Sequence, residues 1–265
     1  MERIEMNRAE RRRRAKEDEK ILARGIDPEA QGPEQTAAMA RQLHALLEEA
    51  KRERSIDPPV RYLHARIDAT LRQLASIPVA CKKGCSHCCH GWVSASAPEV
   101  LFVAKAVRRR SDPTVVGRIR TAFEITRDVE QAARSKHPHP CPLLENDACS
   151  LYAIRPGSCR FWASADAGIC ARAYHGISDE DIPAPRLNLV GRNAYAIALA
   201  AALKHAGLPH HLYEFNAALA RAVERENAER EWLAGIDIFA DVKRDPNDIF
   251  AGAPAHMMYS LAFGA

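Results

Sequence analysis

The stretch Cys81-Lys-Lys-Gly84-Cys85-Ser-His87-Cys88-Cys89 places four thiols within nine residues. Four more, Cys141, Cys149, Cys159 and Cys170, are spread across the thirty residues 141–170, and no cysteine lies outside 81–170. Thiols this concentrated are either stapled by disulfides or hold metal, so their reading decides how the centre of the chain is organised. With 265 residues the chain can bury a core without staples. Apolar residues at 47% and charged residues at 27% are the balance of an ordinary soluble globular protein.

Redox compartment separates the two readings. The N-terminus, Met-Glu-Arg-Ile-Glu-Met-Asn-Arg, shows no apolar stretch after its charges and does not read as a secretory signal. The longest apolar run, Ala194–Leu203, suits a buried helix and is too short to span a bilayer. A cytoplasmic location follows as the expectation, with no membrane partner. Cytoplasmic thiols are kept reduced, which favours metal over disulfides. The net charge of +4 is too small to argue for nucleic acid as the main partner.

Outward from the cysteines the sequence reads as helices. Met39, Leu43, Leu46, Leu47 and Ala50 recur at helical spacing, as do Val60, Leu63, Ile67, Leu71 and Leu74 before Pro78. Ser96-Ala-Pro98-Glu99 is a helix start, followed by Val100, Leu101, Val103, Ala104 and Val107. Asp112-Pro113 opens another helix with Val115, Ile119, Phe123 and Val129 on one side. These two helices separate the cysteine blocks. From His137 to Pro185 prolines and glycines break the pattern, and helices resume at 188–205 and 212–232. In the tail, Asp237-Ile-Phe239 and Asp248-Ile-Phe250 read as strand-like or irregular packing segments. The fold class is therefore mainly α, a helical domain around an irregular cysteine-rich centre. Residues 1–32 form a charged arm and linker, 33–235 the helical cysteine-cluster domain with a metal-binding core at 81–170, and 236–265 a tail packed on it.

Thiolate is a soft ligand suited to zinc, copper(I) or iron–sulfur clusters. Cys81, Cys85 and Cys88 have the two- and three-residue gaps that let sulfurs converge on one ion, and Gly84 permits the tight turn before Cys85. In an extended segment Cys88 and Cys89 point to opposite sides, so one can complete a first site while the other serves a second. The arithmetic permits two four-thiolate sites or one cluster with spare thiols. His87, His90, His139 and His175 could each replace a thiolate, against the plainer reading of surface histidines.

The second block reads Cys141-Pro-Leu, then Cys149-Ser-Leu-Tyr152-Ala-Ile-Arg155-Pro156-Gly-Ser-Cys159-Arg160. With the tight first block, this resembles the CxxCxxCC cysteine-cluster family of zinc- or iron-chelating proteins, to which flagellin lysine N-methylase belongs. The resemblance covers about residues 81–170; the family's tight block has two-residue gaps, whereas three residues separate Cys81 from Cys85. It implies that all eight cysteines bind metal. Through the methylase it implies an iron–sulfur cluster, S-adenosylmethionine as methyl donor and a protein substrate. The spacing of Cys81, Cys85 and Cys88 is also that of radical S-adenosylmethionine enzymes. The β/α alternation of their barrel is missing after Cys89. Phosphate loops, dinucleotide fingerprints and hydrolase elbows are absent too.

Arg155 and Arg160, beside Cys159, are expected to offset thiolate charge and bind the cofactor's sulfurs. Tyr152 is expected in the core with its hydroxyl tied to backbone, and Trp92, Phe161 and Trp162 around the metal as a shield from water. The leading expectation is a metal-binding protein holding iron–sulfur or iron, with zinc as the alternative. Eight thiols exceed the four that a structural zinc requires. A cluster-dependent methyltransferase and a metal-sensing module using the N-terminal arm are the competing classes.

Overall fold

The computed structural model describes residues 32–264, so the charged arm lies outside the described residues. Ten α-helices and two two-stranded sheets are found among them. Helix α1 (Pro33–Glu53) starts with proline in its first turn and ends at Arg54, whose φ of 55° is left-handed. It buries Met39, Leu43, Leu47 and Ala50, the stripe its periodicity marks. Helix α2 (Asp57–Gln73) buries Val60, Leu63 and Ile67 and packs on α1.

Both lie against the long helix α7 (Arg186–His205), which is rich in alanine along its buried side. Small side chains let neighbouring backbones come close. Gly191 shows how close: a Cβ there would meet the Phe161 ring at 2.7 Å. Phe161 ends the short helix α5 (Gly157–Phe161), which carries Cys159. Tight packing on α7 thus sets the position of a thiol.

A second group forms from α3 (Ala97–Arg110) and α4 (Pro113–Thr126), both packed against α8 (Phe215–Glu224). Asp112 caps α4, accepting from the Thr114 N–H at 2.8 Å. Strands β1 (Ser94–Ser96) and β4 (Leu212–Glu214) pair antiparallel and lead into α3 and α8. The helix anticipated over 212–232 is therefore three pieces. Its start is pulled into β4 by pairing with β1, and Arg225–Asn227 separates α8 from α9 (Ala228–Leu233). Lys105 bridges Asp57 at 2.7 Å and Glu229 at 3.2 Å, joining α3, α2 and α9.

In the tail the irregular-packing reading of the two Asp-Ile-Phe segments holds and the strand-like one does not. In each Asp-Ile-Phe segment the aspartate Oδ1 accepts from the phenylalanine N–H, Asp237 from Phe239 at 3.1 Å and Asp248 from Phe250 at 2.9 Å. These are Asx turns, not strands, and both rings are buried. Helix α10 (Ala253–Phe263) follows and packs on α1 and α7. No helix among the described residues is long and apolar enough to cross a membrane.

Candidate metal centre

The first cysteine block lies in the loop after α2. Gly84 takes φ +85°, a region in which a side chain is strained, and the Cys85 N–H donates to Lys82 O at 3.0 Å. His87–His90 then form a 3-10 turn. The vicinal cysteines are consequently not on extended backbone, and the alternation expected of them does not apply. Their thiols are hydrogen bonded to one another instead.

The second block supplies its thiols from three small elements. Strands β2 (Leu144–Glu145) and β3 (Ala148–Cys149) form a hairpin whose turn residues, Asn146 and Asp147, have φ of 50° and 58°. That is the backbone of a two-residue hairpin turn that asparagine and aspartate tolerate. It presents Cys149. Helix α5 presents Cys159. Helix α6 (Ala167–Tyr174) presents Cys170 and is capped by Asp166, which accepts from the N–H groups of Gly168 at 2.7 Å and Ile169 at 3.0 Å.

The blocks are joined through backbone. Cys141 N–H donates to Cys89 O at 2.7 Å and His139 N–H to His90 O at 3.2 Å. On the other side Ala80 N–H donates to Ser164 O at 2.8 Å, and Ser164 N–H to the Cys81 sulfur at 3.4 Å. Ser86 Oγ reaches Asp147 Oδ1 at 3.2 Å, tying the hairpin tip to the first block. Glu99, buried at the start of α3, fixes α5: its Oε1 accepts from Gly157 N–H at 2.6 Å. Its Oε2 accepts from the Ser96 N–H and hydroxyl at 3.2 and 2.6 Å.

All eight thiols are free. Cys170 lies within charge range of Cys81, Cys85 and Cys88, and Cys141 within range of Cys149 and Cys159. Cys88 also neighbours Cys159, so it stands where the two sets meet. Burial pushes the thiols of Cys141 and Cys159 up to about 12, and raises those of Cys81, Cys149 and Cys170. The bond to Cys89, with burial added, raises Cys88. Without a counter-ion these sulfurs are held as neutral thiols.

Arg155 is near enough to Cys88, Cys149 and Cys159 to favour their thiolates. Its guanidinium lies 3.5 Å from the Tyr152 ring. Tyr152 is 64% exposed, not in the core: it serves as the outer face of that stack. Arg160 is buried and binds Asp68 at 2.5 Å, Arg155 O at 2.9 Å and Ala153 O, a lattice that ties the 152–160 segment to α2. Phe161 is buried against Tyr195, while Trp92 Nε1 donates to Ser94 Oγ at 2.8 Å. The four histidines singled out in the sequence come together: His87 Nδ1 lies 3.3 Å from His175 Nε2, the His90 and His175 rings are 4.8 Å apart, and His139 neighbours His90.

The donor chemistry fits zinc or iron, since eight thiols free of disulfides lie on segments joined by backbone hydrogen bonds. Among the described residues, no three or more His, Cys, Asp or Glu side chains are already arranged to hold an ion. The sequence did not mark Glu99, Ser164 or Asp166 as parts of this site, because each acts through contacts that spacing does not encode. No curated protein and no solved structure matches the chain. Residues 80–180, the segment with all eight cysteines, match the CxxCxxCC family model, described as "Putative zinc- or iron-chelating domain".

Proposed function

We propose that the chain is a metal-binding protein in which two four-thiolate sets, Cys81/Cys85/Cys88/Cys170 and Cys89/Cys141/Cys149/Cys159, hold iron, as iron–sulfur or as iron. Zinc is the alternative. The observation that carries this reading is the clamp between the blocks: the Cys141–Cys89 and Ser164–Ala80 backbone bonds bring eight free thiols together from two distant segments. Bound metal supplies positive charge that stabilises thiolates and cross-links the two segments. The chain's own groups do the rest. Arg155 offsets thiolate charge, Gly84 and the hairpin turn direct Cys85 and Cys149, and Glu99 and Asp166 set α5 and α6. An open pocket lined by Lys204, His210, His211 and Asp237 lies at the end of α7, and no cysteine lines it.

Iron is preferred because eight soft donors, two of them vicinal, exceed what structural zinc needs. Anaerobic purification, elemental analysis and a visible spectrum test this directly. The expected outcome is a brown protein with iron bound and charge-transfer absorption. A colourless protein with two zinc ions per chain keeps the two sets and removes the iron. A chain with no bound metal, and none taken up on reconstitution, would remove the metal reading.

A further inference from the structure

His87, His90 and His175 form a cluster of imidazoles that belongs to neither thiolate set. His87 and His90 are the first and last residues of the 3-10 turn, a geometry in which side chains three apart eclipse one another on one side. His175 reaches them as the residue that ends helix α6. Packing enforces its placement. Helix α6 lies on the turn, and the Tyr174 ring fills the space a side chain at Gly91 would need, a Cβ there meeting Cε1 at 2.5 Å. The residues flanking that contact, His90 and His175, are held with ring centres 4.8 Å apart. His87 Nδ1 and His175 Nε2 face each other at 3.3 Å. That is long for a hydrogen bond. It is the edge expected of a coordination tetrahedron, since nitrogens about 2.0–2.1 Å from a zinc ion stand about 3.3–3.4 Å apart. His90 Nδ1 lies 3.2 Å from Ser86 O, the kind of carbonyl bond that fixes the tautomer of a ligating imidazole and leaves Nε2 for an ion. His175 is exposed and the other two are half-buried, so an ion can enter from solvent.

We propose that His87, His90 and His175 form a separate, imidazole-lined site that takes a borderline divalent cation, zinc(II) or nickel(II). His87 and His175 already stand at ligand spacing, and a bound ion would draw in His90 as the third nitrogen. Imidazole suits these ions, whereas magnesium and calcium look for oxygen. With three protein ligands the remaining position falls to water, which separates this site from a closed four-thiolate one. No cysteine takes part, so the site stands whatever metal the thiolate sets hold.

The full chain, loaded with zinc(II) and passed over a chelating resin that removes loosely held ion, would be titrated with nickel(II) by calorimetry. Wild type is expected to take up one further ion. His87→Ala, His90→Ala and His175→Ala should each weaken that step at least about tenfold, while the zinc retained after the resin stays at the wild-type content. His137→Ala, which removes an exposed histidine outside the cluster, should bind nickel as wild type does. No nickel uptake by wild type overturns the proposal, as does an equal loss in His137→Ala, which would mean adventitious binding by surface histidines. Wild-type nickel affinity in His87→Ala and His175→Ala overturns it as well. So does a fall of retained zinc in those two variants, by making the histidines ligands of the thiolate centre. Where the resin leaves no zinc on wild type, the thiolate reading fails by itself, and the dependence of the nickel step on His87 and His175 still decides this one.

Discussion

Glu99 places the two oxygens of one buried carboxylate on different elements, one on the entry to α3 and the other on the first N–H of α5. Removing it leaves buried donors at Ser96 and Gly157 without an acceptor. Glu99→Ala should therefore cost about 2–4 kcal/mol of stability, read from urea denaturation of the metal-free chain. Glu99→Gln keeps one acceptor oxygen and should fall between. Half of this role could be read from the sequence, because Ser96-Ala-Pro98-Glu99 has the spacing of a capped helix. The bond to Gly157 could not, since it joins residues whose separation in the chain carries no periodic signal.

Among elements, the contact between α5 and α7 is the most sharply constrained. The Phe161 ring occupies the space a side chain at position 191 would need. Gly191→Ala should lower stability by about 1–3 kcal/mol despite the better helix propensity of alanine, measured as a drop in melting temperature. If the variant is as stable as wild type, that packing is looser than described. The long helices were legible because their apolar stripes contrast with charged faces, as in Leu43, Leu47 and Ala50 of α1. Strands β1 and β4 have three residues each, too few to show a period of two. Helix α10 was missed because Met257, Met258, Leu261 and Phe263 leave it apolar on several sides, so no face stands out. The cysteine spacing announced a metal centre. It was silent about the turn at Asn146-Asp147 and the 3-10 backbone of Cys88-Cys89.

At the scale of the whole molecule, acid should loosen the fold through His64. Burial, with Arg160 next in effect, lowers this histidine to about 3, and it packs edge-on to Phe102. The folded state keeps it neutral while the unfolded chain takes up a proton below about 6.5. Its contribution is thus complete above that pH and lost as pH falls towards 3. The loss amounts to about 2 kcal/mol by pH 5. Urea midpoints of metal-free protein at pH 7.5 and pH 5 should differ by that much more in wild type than in His64→Leu. The clamp between Cys141 and Cys89 bears on biosynthesis as well. It closes a loop that contains all of α3 and α4, and Cys170 lies further on still. A ribosome therefore exposes the first four cysteines long before their partners emerge. On the metal-binding reading, an ion captured early would be held by Cys81, Cys85, Cys88 and Cys89 alone until translation passes Cys170. Completion of either proposed thiolate set would then wait for the second block, a delay set by the length of chain between the two.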